Sequence, residues 1–258
     1  MSFAHSLDRR RTADAPMSEA EREVRVDLAA CYRLAARLGW DDLVYTHISA
    51  RVPGPGHHFL INPFGMSFNE ITASSLVKID LDGSIVGDSA YGVNRAGFVI
   101  HGAIHETRPQ VGCVIHNHTE NGMAVSMLKG GLQPVSQHAM MFYDRLGYHD
   151  YEGIALDPPE RERLVRNLGN HGSMILRNHG FLTTGATVAE AFVRMFNLEK
   201  AAGAQLKAMA SGEPLVVPPP EVCERTARQF ESDSVPCGTR EWPAMLRRLD
   251  REDPGYKA

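Results

Sequence analysis

The stretch "VGCVIHNHTENG", residues 111–122, limits the possible folds more than any other part of the chain. Its lead-in (Val111, Cys113, Val114, Ile115) is apolar and mostly β-branched, the mark of a buried strand, and residues 119–122 open a helix directly behind it. A strand that feeds straight into a helix calls for a sheet covered by helices, and open α/β sheets keep their sites at such carboxyl ends. His116 and His118 stand at i and i+2 of that strand. They share a face, with Cα atoms about 6.6 Å apart at a rise of roughly 3.3 Å per residue, while Asn117 faces the other way. Two imidazoles so placed fit a metal pair with Zn–N bonds near 2.0–2.1 Å, and equally a hydrogen-bonded structural pair. A third ligand separates the two readings. "SMILRNHG" offers His179, in an Asn-His-Gly bend just past the apolar residues 174–176. Three histidines leave open positions on an ion, as catalytic sites do.

Composition excludes several classes. The chain has 258 residues, 43% of them hydrophobic, enough for one sizeable core. A net charge of -4 argues against nucleic acid or an anionic membrane as a partner held by bulk charge. Four scattered cysteines without a C-x-x-C pair suit a reduced, cytoplasmic protein. Residues 1–17 are charged and aperiodic, without a signal-peptide core, and read as a flexible arm whose "RRR" is solvated. No apolar run approaches the roughly 20 residues of a membrane helix.

Along the rest of the chain, Ser18 and Glu21 form a capping box. Val24, Leu28, Cys31, Ala35 and Leu38 then mark one face of a helix that Gly39 ends. Short extended pieces, "LVYTHISARV" and "HHFLIN", follow a helical period no longer and meet at a Pro-Gly turn. A short helix is expected near Thr72, then the strand "LVKID", a turn over residues 81–84 and a return strand. "RAGFVIHGAIHETRP" reads as a helix closed by Pro109, with His101 and His105 one turn apart and bonded within the fold. "ENGMAVSMLKGG" is another helix, and the segment from Thr187 to Gly212 is a long one with Thr187 and Glu190 as a second box. His5, His57, His58 and His149 read as loop or tail residues, and His171, in an Asn-His-Gly of its own, precedes its strand instead of following it and is set aside as a ligand. The expected organisation is an arm (1–17), one domain (18–212) and a Pro-rich connector with a helical tail (213–258). The class is α/β with a mixed sheet covered by helices.

Several motifs together resemble the class II aldolase/adducin family: "VYTHISAR", "INPFG" with "ITASSLVKID", "GFVIHGAIHETRPQVGCVIHNHT", "SQHAMMFYD" with "HDYEGIA", and "ILRNHG". The resemblance implies a three-layer α/β/α sandwich around a mostly antiparallel sheet. It implies a divalent metal on His116, His118 and His179, zinc first, with Fe2+, Mn2+ or Co2+ as alternatives. It also implies substrate contacts near Asn62 and Gly65 of "INPFG", and a homotetramer whose active sites are shared between copies.

The departures from the family pattern bear on chemistry. Where the sugar-phosphate aldolases carry two phosphate-gripping serines and an acid/base glutamate, this chain has Arg95, Ala96 and Gly97. The family's Gly-Asn beside the phosphate is Thr46-His47 here. A phosphorylated sugar is therefore not the expected substrate. Arg95 is read either as a fork for a carboxylate or as a surface arginine at the helix start. His138 stands where the family places a tyrosine supplied by the neighbouring subunit, and is either a general acid/base or a structural interface histidine. His47 is the second acid/base candidate. Glu199 either bonds a ligating histidine or makes a surface i,i+4 pair.

The expected activity is that of a carbon–carbon lyase on a small, non-phosphorylated hydroxy or keto acid, the metal stabilising an enediolate. Three alternatives stand beside it: decarboxylation of a β-keto acid, an Fe(II)-dependent oxygenase, and a non-catalytic, adducin-like oligomerising scaffold.

Overall fold

The computed structural model describes residues 17–154 and 158–258, so the expected arm lies almost wholly outside the described residues. Helix α1 (Glu19–Arg37) is followed by strands β1 (His47–Arg51), β2 (Phe59–Ile61) and β3 (Val77–Ile79). Helix α2 (Arg95–Thr107) leads into β4 (Cys113–Asn117), then α3 (Glu120–Met127), α4 (Gln137–Met140) and β5 (Leu146–His149). After α5 (Pro158–Leu168), β6 (Ser173–Leu176) and β7 (Gly180–Gly185) come the long α6 (Val188–Ala210), α7 (Pro220–Glu231) and α8 (Glu241–Glu252).

The seven strands form one sheet in the order β3-β2-β1-β4-β7-β6-β5. Every pairing is antiparallel except β5 with β6, which gives the mixed, mostly antiparallel sheet expected. Strand alternation sends neighbouring residues to opposite faces. On β4, Cys113 and Ile115 join the core shared with α1, α6 and α8, whereas Val114 joins the core shared with α2 and α5. The result is helix, sheet and helix in three layers. Register then assembles the site. His47 at the start of β1 pairs with His116, Asn117 pairs with Phe181, and Leu176 pairs with Gly180. One rim of the sheet thus collects His47, His116, His118, His179 and His149.

Local expectations were met unevenly. Ser18 caps α1 by accepting from the Glu21 N–H, but the Glu21 carboxylate turns away to Arg25 and Lys78, so only half of the box forms. Leu38 lies beyond the last helical turn and is 42% exposed. No helix begins at Thr72: a short 3-10 turn occupies Phe68–Glu70, and Thr72 and Ser75 cap one another in the turn that follows. The return strand after residue 84 is a single bridge, Ile79 with Ile85. At α6, Thr187 accepts from the Glu190 N–H while the Glu190 carboxylate accepts from Ala186, one residue before the cap.

The C-terminal helices belong to the same core as the domain. Trp242 of α8 packs on Phe192 of α6 at 5.4 Å between rings and donates from Nε1 to Asp27 of α1. Leu249 and Tyr256 are buried alongside, and Ala73 donates its N–H to the Tyr256 carbonyl. The change at residue 213 is one of composition and not of packing. Among the described residues no helix is long and apolar enough to cross a membrane.

Candidate metal centre

His116 is the fourth of the five buried residues of β4, Asn117 ends the strand and His118 follows it. The third imidazole arrives by a different route. Asn178 adopts the left-handed region (φ 56), which asparagine tolerates better than most residues, and this turns the chain between β6 and β7. Ser126 of α3 pins the bend, accepting the His179 N–H on its hydroxyl at 3.2 Å. Gly180 is needed next: a Cβ there would lie 2.2 Å from the Asn117 carbonyl, so only glycine lets β7 close on β4.

The ligand nitrogens of His116, His118 and His179 all lie within 4.8 Å of one another. His118 Nε2 is 2.9 Å from His116 Nε2 and 2.8 Å from His179 Nε2. The outer nitrogens decide what these contacts are. His116 Nδ1 donates to the Phe181 carbonyl at 2.9 Å, and His118 Nδ1 donates to Asp42 Oδ2 at 3.0 Å. With Nδ1 as the donor outward, Nε2 is the nitrogen of each ring left to offer a lone pair inward. Burial and the neighbouring rings push the His116 pKa well below its usual value, and burial brings His179 down to about 4, so neither carries the extra proton. His179 can supply at most one proton to two contacts. Facing lone pairs of this kind are what a shared divalent cation satisfies. Ligands of a tetrahedral ion at about 2.0–2.1 Å stand ~3.4 Å apart, so small ring movements admit one. The donor set fits a divalent metal.

The surroundings hold this set in place. Asn117 faces the opposite side of the sheet, as its alternation requires, and donates to Glu199 Oε1 at 3.1 Å. Glu199 also accepts from Thr119 Oγ1, which caps α3. Glu199 is buried, with its pKa raised by desolvation, and bonds no imidazole. Neither reading of it from the sequence survives as stated: it braces the residues that flank His116 and His118. Asp42, which the sequence reading missed, is the residue that bonds a ligating ring. Beside His118 an open cleft of about 590 Å³ runs past Trp40, Asp41, Phe196 and Lys200.

His47 lies at the same rim, fully buried, its ring 5.2 Å from that of His116. A Cβ on Gly97 would fall 2.7 Å from His47 Cδ2 and 3.0 Å from Nε2. The His47 ring therefore fills the volume in which a side chain at position 97 would start. Burial and the nearby rings lower its pKa well below the usual value, so it is a neutral imidazole. Arg95 starts α2 two residues away, exposed and without a hydrogen bond or ion pair among the described residues. Asn62 follows β2; its amide oxygen accepts from the Tyr32 hydroxyl at 2.9 Å, so part of its side chain is used in the fold. Gly65 has φ 102 and open space around it.

Three further histidines lie outside the ligand set. His138 sits half-buried on α4, and no contact joins it to the three ligand rings within this chain. His149 is no loop residue: it ends β5, 3% exposed, with Nδ1 bonded to Asn167 and Nε2 3.5 Å from Glu160. His171 precedes β6 and stays out of the site, as its position relative to the strand implies.

Comparison with known proteins agrees with this arrangement. The sequence matches the family described as Class II Aldolase and Adducin N-terminal domain over residues 26–206. A protein of Caulobacter vibrioides, named provisionally as an aldolase class 2 protein, is 52% identical over 93% of this chain and 94% of its own length. The crystal structure of an aldolase II superfamily protein from Pseudomonas syringae superposes with a TM-score of 0.91 at 51% identity, covering 94% of this chain and 98% of the other. L-fuculose 1-phosphate aldolase from Glaciozyma antarctica follows at 0.81 and 26% identity, over 95% and 97% of the two chains. The chain belongs to the class II aldolase and adducin family.

Proposed function

We propose that this protein is a metal-dependent carbon–carbon lyase, cleaving or joining a small, non-phosphorylated hydroxy or keto acid in the cytoplasm. The observation that carries the reading is the inward pair of lone pairs on His116 and His118, completed by His179. A divalent ion there, zinc first, with iron(II), manganese or cobalt also suited to imidazole, supplies a Lewis acid to paired substrate oxygens.

The remaining work falls to the chain. His47 is a neutral base standing where the glutamate of sugar-phosphate aldolases would otherwise project, and it takes the hydroxyl proton of the carbon that becomes the aldehyde. The C–C bond then breaks toward the adjacent carbonyl. The new carbon is protonated by His138 of a neighbouring copy in a homotetramer. Arg95, exposed at the helix start, offers its two-pronged guanidinium to the substrate carboxylate. Asn62, directly after β2, follows the Ser49–Ile61 pair toward the His47 end of β1, and with Gly65 it is the further substrate contact of this reading.

The test is exchange of the methyl protons of pyruvate, and of a panel of other keto acids, in deuterated water with the metal-loaded protein. Exchange is expected, and His138→Gln, which removes the group that moves the proton at carbon, should slow it at least about 100-fold, the usual contribution of a general acid or base. No exchange with any keto acid under any of the four metals would reject the lyase. Oxygen uptake under iron(II) instead would favour an oxygenase, and a chain with no metal affinity would favour an adducin-like scaffold.

A further inference from the structure

Behind His47 runs a line of buried polar groups that the proposed chemistry does not use. His47 Nδ1 lies 2.9 Å from His101 Nε2, His101 Nδ1 lies 2.6 Å from Ser49 Oγ, and Ser49 Oγ lies 2.8 Å from His105 Nε2. Alternation on β1 turns His47 and Ser49 toward α2, and the one-turn spacing of α2 turns His101 and His105 toward β1. Ser49, His101 and His105 are all at most 1% exposed. The rings are braced, His47 edge-on to His101 at 4.6 Å and His105 stacked on Phe59 at 4.8 Å. All three rings are fully buried and no carboxylate bonds any of them among the described residues, so none holds a charge.

Counting protons leaves two arrangements. Three neutral rings and one hydroxyl bring four mobile protons, and three of them fill the three gaps between neighbours. The fourth sits at one end, on His105 Nδ1 or on His47 Nε2, because a Ser49 hydroxyl that accepted from both neighbours would turn its own proton to no acceptor among the described residues. The far end settles which. His105 Nδ1 has no partner within hydrogen-bond geometry, and the polar group that faces the ring there is the Val111 carbonyl. That carbonyl already accepts from Arg51 Nε, and no donor addresses His105 Nδ1. A lone pair on His105 Nδ1 would oppose a carbonyl oxygen in the core, whereas an N–H there meets it with the right polarity.

We propose that Ser49, His101 and His105 are positioning residues that hold His47 in its Nδ1–H form and leave Nε2 as a bare acceptor beside His116. In that state His47 donates to His101, His101 donates to Ser49, Ser49 donates to His105, and His105 turns its Nδ1–H toward Val111. The line ends in the core, so it sets a tautomer and is not a conduit to solvent. Its catalytic meaning rests on His47 being the base; the tautomer itself does not.

Long-range 1H–15N spectra of the zinc-loaded, 15N-histidine-labelled full chain read each ring directly, with His47→Gln identifying the His47 signals. The wild type should show a protonated Nδ1 and a pyridine-like Nε2 on His47, and a protonated Nδ1 on His105. Ser49→Ala cuts the line with little change of volume and should turn His47 into a mixture of both tautomers, while Ser49→Thr, which keeps the hydroxyl, should restore a single form. A wild-type His47 protonated at Nε2 would overturn the proposal, whatever the variants do. So would an unchanged, pure Nδ1–H form in Ser49→Ala. If the expected tautomers appear while no keto acid exchanges protons, the lyase reading fails and the positioning line stands.

Discussion

The imidazole of His47, from strand β1, occupies the space that a side chain on Gly97 of α2 would need, with Cδ2 2.7 Å from where the Cβ would be. Two positions distant in sequence are therefore one steric unit: with only a hydrogen on Gly97, the His47 ring fills the space at the rim of the sheet beside the ligand set.

The pair predicts a coupling in stability. Alanine for glycine in a helix ordinarily gains about 0.5–1 kcal/mol. Here the added methyl meets a buried ring with nowhere to go, so Gly97→Ala should instead cost about 1–3 kcal/mol, the usual range for overpacking. On a His47→Ala background the obstacle is gone and the substitution should become neutral or stabilising. Urea melts of the two single variants and the double variant measure this, and strict additivity would place the His47 ring elsewhere.

Asp42 predicts an effect on metal affinity without touching metal. Its carboxylate accepts a hydrogen bond from His118 Nδ1–H and so keeps the inner nitrogen free. Asp42→Asn should weaken zinc binding by about 10–100-fold, as removal of such partners does, with little loss of stability because Asp42 is a partly exposed residue. Competition with a chromophoric chelator gives the number; an unchanged affinity would mean that the His118 tautomer is set by something else.

The buried histidines away from the ligands predict a pH dependence of folding. His101 and His105 are held neutral by burial, with folded-state pKa values below the unfolded value near 6.5 and that of His105 at about 3. As pH falls through 6.5 the unfolded chain takes up protons that the folded chain refuses. Stability should thus be level above about pH 7 and decline below it, each such group adding a slope of up to ~1.4 kcal/mol per pH unit. Urea midpoints measured from pH 8 to pH 5 test this, and replacing His105 by Phe should flatten the slope.

How much of this was readable beforehand depends on how local its cause is. Helices α1 and α6 showed themselves through a cap and a 3.6-residue period, and β4 through its β-branched run. Strand β7, "GFLTTG", did not, because both of its faces are buried and it lacks alternation. Strand β5 is four residues long and pairs on one side only, so its identity comes from β6 and not from its own composition. The three ligand positions were visible as motifs at strand ends. The support around them was not: Asp42 reaches His118 across 76 residues, and Ser49 meets His105 across 56. Such pairings are made by sheet register and layer packing, which no short motif records. His149 was misread for the same reason, since a lone histidine after "LGY" carries no sign that Glu160 and Asn167 will close over it.

The most direct measurement is the metal content of the purified chain, by elemental analysis together with anomalous scattering from a crystal. The expected result is one divalent ion per chain, its signal at the meeting point of His116, His118 and His179, and its loss in His116→Ala with the fold retained. A chain that carries no ion, takes up none on dialysis against zinc, iron(II), manganese or cobalt, and keeps those three rings hydrogen-bonded to one another would contradict it.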